Sequence, residues 1–321
     1  MIFLNPFARI IVGYDGSAPA ESALDESLVL AQQYGGELVV VHSSDNSAPA
    51  LVRLPTAVQA RTPEPDPLLA SLDRYRYDLY LKLSRRAGSS NVPISLEFSM
   101  NRAADGILDA VTRWQGTAIA IGTHARNSFA RTVVGSVAEE IVRSALVPVI
   151  VTRAGVPTRP LHRIIVGVDD SEPSANVSSF AIRLACEHSV RSMYCCVIDT
   201  KRLVQTDADP AFEPQPLLAR MRIEARNAID SALQAASDAD VYPDTEIIGA
   251  TDIASGLCDA ARRHVADAIV IGTHKRNTFV HLMLGSTAES ILRHSDVPVI
   301  VVPADAMFAP TPVLTRVPAR A

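Results

Sequence analysis

Glycine and serine at the mouth of a helix expose backbone amides that suit an anion, and this chain carries such a mouth twice. Gly122-Thr-His124 leads to Gly135-Ser136-Val137, and Gly272-Thr-His274 leads at the same spacing to Gly285-Ser286-Thr287. Each serine opens a helical pattern, whose free N–H groups and positive dipole end favour a phosphate or another anion. An acid accompanies each mouth: Asp15 closes Arg9-Ile-Ile-Val-Gly-Tyr-Asp15, and Asp169 closes Arg163-Ile-Ile-Val-Gly-Val-Asp169. The same residues also have a ligand-free use. Ser136 with Glu139, and Ser286 with Glu289, spell the Ser-x-x-Glu capping box, and Asp15-Gly-Ser17 suits a simple strand-to-helix turn.

Other reactive residues point less clearly to a site. His124 and His274 each stand alone, with no second ligand at metal-binding spacing, so no metal site is expected. Arg126, Arg131, Lys275 and Arg276 lie between the glycines, where they could neutralise phosphate or simply be solvated. Trp114, the single tryptophan, reads as a packing residue. The chain has no Gly-x-Ser-x-Gly elbow, no His-Glu-x-x-His and no Gly-x4-Gly-Lys-Ser/Thr loop, so no catalytic residue is assigned and an enzyme is not expected. Slow hydrolysis of a bound nucleotide is the one activity left open.

The elements that hold these residues come from a tandem duplication. Ile121–Val151 and Ile271–Val301 match without a gap at 18 of 31 positions, offset by 150 residues, whereas the Asp15 and Asp169 openings are offset by 154. A middle loop must absorb the difference. In the first half, strands are expected at 9–14, 38–42, 94–98, 118–121 and 149–152, with helices at 18–34, 68–87, 103–113 and 136–144. In the second half, strands are expected at 164–168, 193–198, 245–248, 268–271 and 299–302, again with helices between. Short Val/Ile runs alternating with helices predict an α/β fold of two tandem doubly wound domains. Each is a Rossmann-like, five-stranded parallel sheet with helices on both faces. The expected division is 1–153, a linker at 154–162, 163–303, and a disordered tail at 304–321. Ligands of such sheets settle where the winding reverses, beside the ends of the first and fourth strands. Asp15 and Gly122 mark those two ends in one half, and Asp169 and Gly272 in the other. Their pairing on one rim, twice, favours a ligand site over turn chemistry alone.

A length of 321 residues accommodates two such units. A formal charge of −5 with no basic stripe argues against nucleic-acid binding. No apolar run approaches membrane-span length and the first residues lack a leader pattern, so the expectation is a cytoplasmic protein without a membrane partner. The four cysteines all fall in the second half without Cys-x-x-Cys spacing, which predicts buried thiols rather than disulfides. Cys195 and Cys196 are expected on opposite faces of a strand.

Three marks together make the chain resemble the universal stress protein family in its tandem form. They are the Ile-Ile-Val-Gly-x-Asp opening, the Gly-Thr-His turn leading to Gly-Ser-x-Ala-Glu, and the closing Val-Pro-Val-Ile-Val. The resemblance implies an adenine nucleotide alpha hydrolase-like fold and packing of the last strands in a dimer or an internal pseudo-dimer. In one branch it also implies ATP binding, with magnesium as a companion, through Gly-x2-Gly-x9-Gly-Ser/Thr. It places nucleotide contacts at Asp15, Gly122, Ala125, Gly135, Ser136 and Val137, and at Asp169, Val197, Gly272, Lys275, Gly285, Ser286 and Thr287. Ala125 and Lys275 replace the motif's second glycine, at about 1 to 2 kcal/mol if that glycine is left-handed. Alanine adds one methyl group, which favours the first half, while a lysine ammonium could meet a phosphate. Val197 resembles the family's apolar adenine wall, whereas the first half has Ser43 there, which favours the second. An interaction module of the same fold without nucleotide is the alternative, and a homodimer of whole chains stays open.

Overall fold

The computed structural model describes residues 5–43, 67–123, 135–171, 173–201, 214–273 and 285–306. The first half runs β1 (Arg9–Gly13), α1 (Ala18–Tyr34), β2 (Glu37–Ser43), α2 (Pro67–Ser90), β3 (Ile94–Ser99), α3 (Ala103–Trp114), β4 (Ala118–Thr123), α4 (Ser136–Ser144) and β5 (Val149–Arg153). The second half repeats this order. It runs β6 (Arg163–Gly167), α5 (Pro173–His188), β7 (Arg191–Asp199), α6 (Pro214–Ser237), β8 (Asp244–Ala250), α7 (Ile253–Arg263), β9 (Ala268–Gly272), α8 (Ser286–His294) and β10 (Val299–Val302).

Short β-branched runs form the strands because both of their faces are covered. Ile10, Ile11 and Val12 are all fully buried, and successive residues enter different cores. Ile10 and Val12 pack with Leu24 and Leu28 of α1, while Ile11 packs with Ile107 of α3 and Ile141 of α4. Cys196 and Cys195 divide in the same way, so this adjacent pair does point to opposite faces. The offset between halves is 154 residues at β2 and β7, 149 at β3 and β8 and 150 at β4 and β9, so most of the length change falls between the second and third strands of each half.

The sheet is continuous, with strand order β3-β2-β1-β4-β5-β10-β9-β6-β7-β8. Strands are parallel within each half, and β5 meets β10 antiparallel with Ile150 opposite Ile300. The two halves are therefore joined through their last strands, as an internal pseudo-dimer requires. Winding reverses between β1 and β4 and again between β6 and β9, so each half has one switch point.

Beyond that pairing, positions equivalent at an offset of 154 face each other across the seam. Tyr34 meets His188 edge-on at 4.2 Å between ring centroids, and the Gln33 amide exchanges two 2.7 Å hydrogen bonds with the backbone of Leu161, the counterpart of Phe7. Phe7 itself packs on Phe180 at 6.2 Å, whereas Glu26, the counterpart of Phe180, is a carboxyl only 2% exposed. Burial, and then the charge of Asp267, push that carboxyl up to about 8. Arg153 at the end of β5 donates to the carbonyl of Arg293 at 2.8 Å and to that of Ser295, holding the C-terminal turn of α8. Within the stretch expected as a tail, Asn176 donates to the Ala304 carbonyl at 2.6 Å and Ala306 is buried, so residues 304–306 pack on the second half. Residues 307–321 lie outside the described residues.

Candidate functional site

In the second half the rim residues converge. Gly167 and Asp169 at the end of β6, Val197 of β7, Gly272 and Thr273 after β9, and Gly285, Ser286 and Thr287 at the start of α8 line one cavity of about 240 Å³. Its floor and walls are apolar, made by Cys195, Ile253, Leu257, Ile271 and Ile291, while Asp169, Ser171, Ser174, Thr273, Ser286 and Thr287 supply hydroxyls and a carboxylate at the mouth. An apolar pocket with a few polar groups at one end suits a flat, partly polar ligand that carries a charged extension.

The charged end has an identifiable receptor. Gly285 caps α8 with extended backbone, φ −55° and ψ 138°, and the Glu289 amide donates to the Gly285 carbonyl at 2.9 Å. The helix thus begins at Ser286, and the amides of residues 286–288 have no carbonyl one turn back to pair with. Gly135 starts α4 identically, with φ −57° and ψ 143°. This corrects the capping-box reading in both halves. A box needs serine at the capping position and glutamate three residues on, but glycine takes that place, and Ser136 and Ser286 are already helical. Glu289 pairs instead with Arg293.

The turn reading of the strand-end acids does hold. Asp15 accepts from the Ser17 amide at 2.9 Å, and Ser17 in turn caps α1 by accepting from Ala20 at 3.4 Å. Asp169 accepts from the Ser171 amide at 3.1 Å and from the Ser171 hydroxyl, while its own amide donates to Ser174 at 3.1 Å. Each acid therefore orders its strand-to-helix turn, and Asp169 also faces the cavity.

The first half places the corresponding residues at its own switch point, with different walls. Ser43, the register counterpart of Val197, buries its hydroxyl without a hydrogen-bond partner among the described residues. A Cβ on Gly106 would meet the Ser99 and Ser43 hydroxyls at 2.4 and 2.6 Å, whereas one on Gly256 would meet the Val197 methyls at 2.8 and 3.1 Å. Gly122 is needed for packing, since a Cβ there would come within 2.3 Å of the Pro19 backbone. Tyr14 beside Asp15 joins Glu21 and accepts from Lys82 at 2.9 Å, tying α1 to α2 at this rim. The second half has Val168 in place of Tyr14.

Ala125, Lys275, His124, His274, Arg126, Arg131 and Arg276 lie outside the described residues. Val137 is an exposed residue of α4, one position after Ser136. Trp114 packs beside the α3 core and donates through its indole N–H to Glu97, in agreement with a packing role. Burial pushes the Cys195 thiol up to about 12, and those of Cys196 and Cys258 to about 11, which leaves all three as poor nucleophiles near neutrality. Cys186 is exposed. The cavity residues that motif reading passed over had a signal: Cys195 lies two positions before Val197, on the same strand face, and Ile253 and Leu257 share a helix face.

The sequence model of the Universal stress protein family matches residues 6–153 and again 160–303. The chain belongs to that family. A universal stress protein of Mycobacterium tuberculosis is 24% identical over 310 residues, covering 92% of this chain and 99% of the relative. Among solved structures, a universal stress protein from Archaeoglobus fulgidus aligns over 94% of this chain and all of its own, at 15% identity and a TM-score of 0.69. A functionally unknown protein from Pseudomonas aeruginosa aligns over 93% of each chain at 18% identity and a TM-score of 0.58. These structures share the tandem α/β fold. No helix among the described residues is long and apolar enough to cross a membrane.

Proposed function

We propose that this universal stress protein takes an adenine nucleotide in the cavity of its second half and answers stress through the occupancy of that site. The base lies against Val197, Ile253 and Leu257, the sugar faces Asp169, and the phosphates reach the amides of Ser286 and Thr287. Magnesium would accompany the phosphates, and Lys275 would add charge beside them. The observation that carries this reading is the meeting of Asp169, Val197, Gly272, Gly285, Ser286 and Thr287 around one cavity. Our reading keeps 1–153 and 163–303 as the two units, places the protein in the cytoplasm, and assigns no catalytic residue. Mass spectrometry of small molecules released from freshly purified, denatured protein tests it: adenine nucleotide near one per chain is expected, and its absence together with no heat on adding ATP would overturn it.

The replacement of the motif's second glycine by Ala125 and Lys275 favours the other reading, an interaction module without nucleotide. On that reading both glycine turns are structural, and the protein works through its partners alone.

A further inference from the structure

Away from the switch points, the second half has a larger opening that the nucleotide reading does not use. Ile198 and Thr200 at the end of β7, Ile247 and Gly249 of β8, and Leu218, Arg222, Ile223 and Arg226 of α6 line a groove of about 640 Å³. Ile223 is 61% exposed and Ile247 41% exposed, which is unusual for large aliphatic residues facing one another. Arg222 and Arg226 stand one helical turn apart on the groove's rim, both exposed, and neither has an ion-pair partner among the described residues. On the opposite face of β8, Glu246 is already paired with Arg263 at 2.7 Å and with His264 at 2.8 Å. Among the described residues, the groove lining thus carries two cationic side chains and no acidic one.

Two further facts define what would fit. β8 is the last strand of the sheet, so its outer edge offers backbone donors and acceptors to an added strand. The fold does not oblige this groove to stay open, because the first half fills the corresponding place. Phe98 of β3, the register counterpart of Ile247, lies 4.9 Å beneath the Arg76 guanidinium and 6.0 Å from the His42 ring, with Arg76 only 9% exposed.

We infer that the groove between α6 and β8 docks an extended segment of a partner protein whose α6-facing residues, every second one along the strand, are apolar and acidic in turn. Its backbone pairs with the β8 edge, its apolar side chains cover Ile223 and Ile247, and its carboxylates meet Arg222 and Arg226. Strand addition provides affinity through main-chain bonds, and the two guanidiniums select the charge.

The test uses the full chain and a fluorescein-labelled ten-residue peptide in which isoleucine and glutamate take turns at every second position with threonine between them, followed by fluorescence anisotropy. The acidic peptide should bind, and its counterpart with lysine at every glutamate should not. The double variant Arg222→Ala/Arg226→Ala should weaken binding at least tenfold, as should Ile223→Asp. N-methylation of alternate peptide amides should weaken it as much. All three replaced side chains are exposed, so circular dichroism should match the parent. Equal binding of the two peptides, or an unchanged affinity in the double arginine variant, would overturn the inference. So would phosphatidylglycerol vesicles that bind with the same arginine dependence while the peptide does not.

Discussion

The two switch points share one topology and differ in their lining. The second presents Val197 and Leu257 to a cavity with the α8 amides at its mouth, while the first presents Ser43, whose buried hydroxyl has no partner among the described residues, and Ile107. Duplication thus conserved the backbone device, a glycine-capped helix start beside a strand-end acid, and let the walls diverge. The walls decide which half suits an apolar base. A buried hydroxyl without a partner costs about 1 to 3 kcal/mol, and it offers a flat aromatic ring less dispersion than two methyl groups do.

The halves also differ where Glu26 stands at the position equivalent to Phe180. The Glu26 carboxyl ionises near 8 in the folded chain against 4.5 in its ordinary state. Its stabilising contribution is therefore complete below about pH 4.5 and is lost as the pH rises through about 8. Between pH 6 and pH 9 that loss amounts to about 3 kcal/mol. Urea unfolding of Glu26→Gln should lack this part of the decline, and stability curves that run parallel in the two proteins would show that Glu26 is not the cause.

A charge on the cavity wall should erase the distinction between the two switch points. Val197→Glu is expected to weaken ATP binding about a hundredfold by calorimetry, since an unpaired carboxylate would replace apolar surface at the base. Less than a fivefold change would move the base elsewhere. A gentler contrast comes from the paired glycines. Gly256→Ala forces the Val197 methyls aside and should weaken binding about tenfold, whereas Gly106→Ala crowds only Ser43 and Ser99 and should leave affinity within twofold. Equal effects of the two would locate the ligand in both halves or in neither.

Much of this arrangement was legible in the chain. The Val/Ile runs named the strands because burial on both faces leaves no polar alternation to obscure them, and the repeat located both mouths without coordinates. The capping register was misread because Ser-x-x-Glu spells a box whether serine stands at the capping position or one residue inside the helix. Only backbone angles separate those cases. Glu26 gave no local signal at all: its neighbours Ser27 and Asp25 are polar too, and nothing in that stretch sets it apart as a buried acid. The groove beside α6 was hidden for a similar reason. The exposure of Ile223 and Ile247 follows only from the sheet ending at β8.

Unequal occupancy of the two switch points is measured directly by calorimetric titration of nucleotide-free protein with ATP and magnesium. Such inequality predicts one molecule bound per chain, lost in Val197→Glu and kept when Ser43 is replaced. Two molecules per chain, none, or a single one that survives Val197→Glu would contradict it.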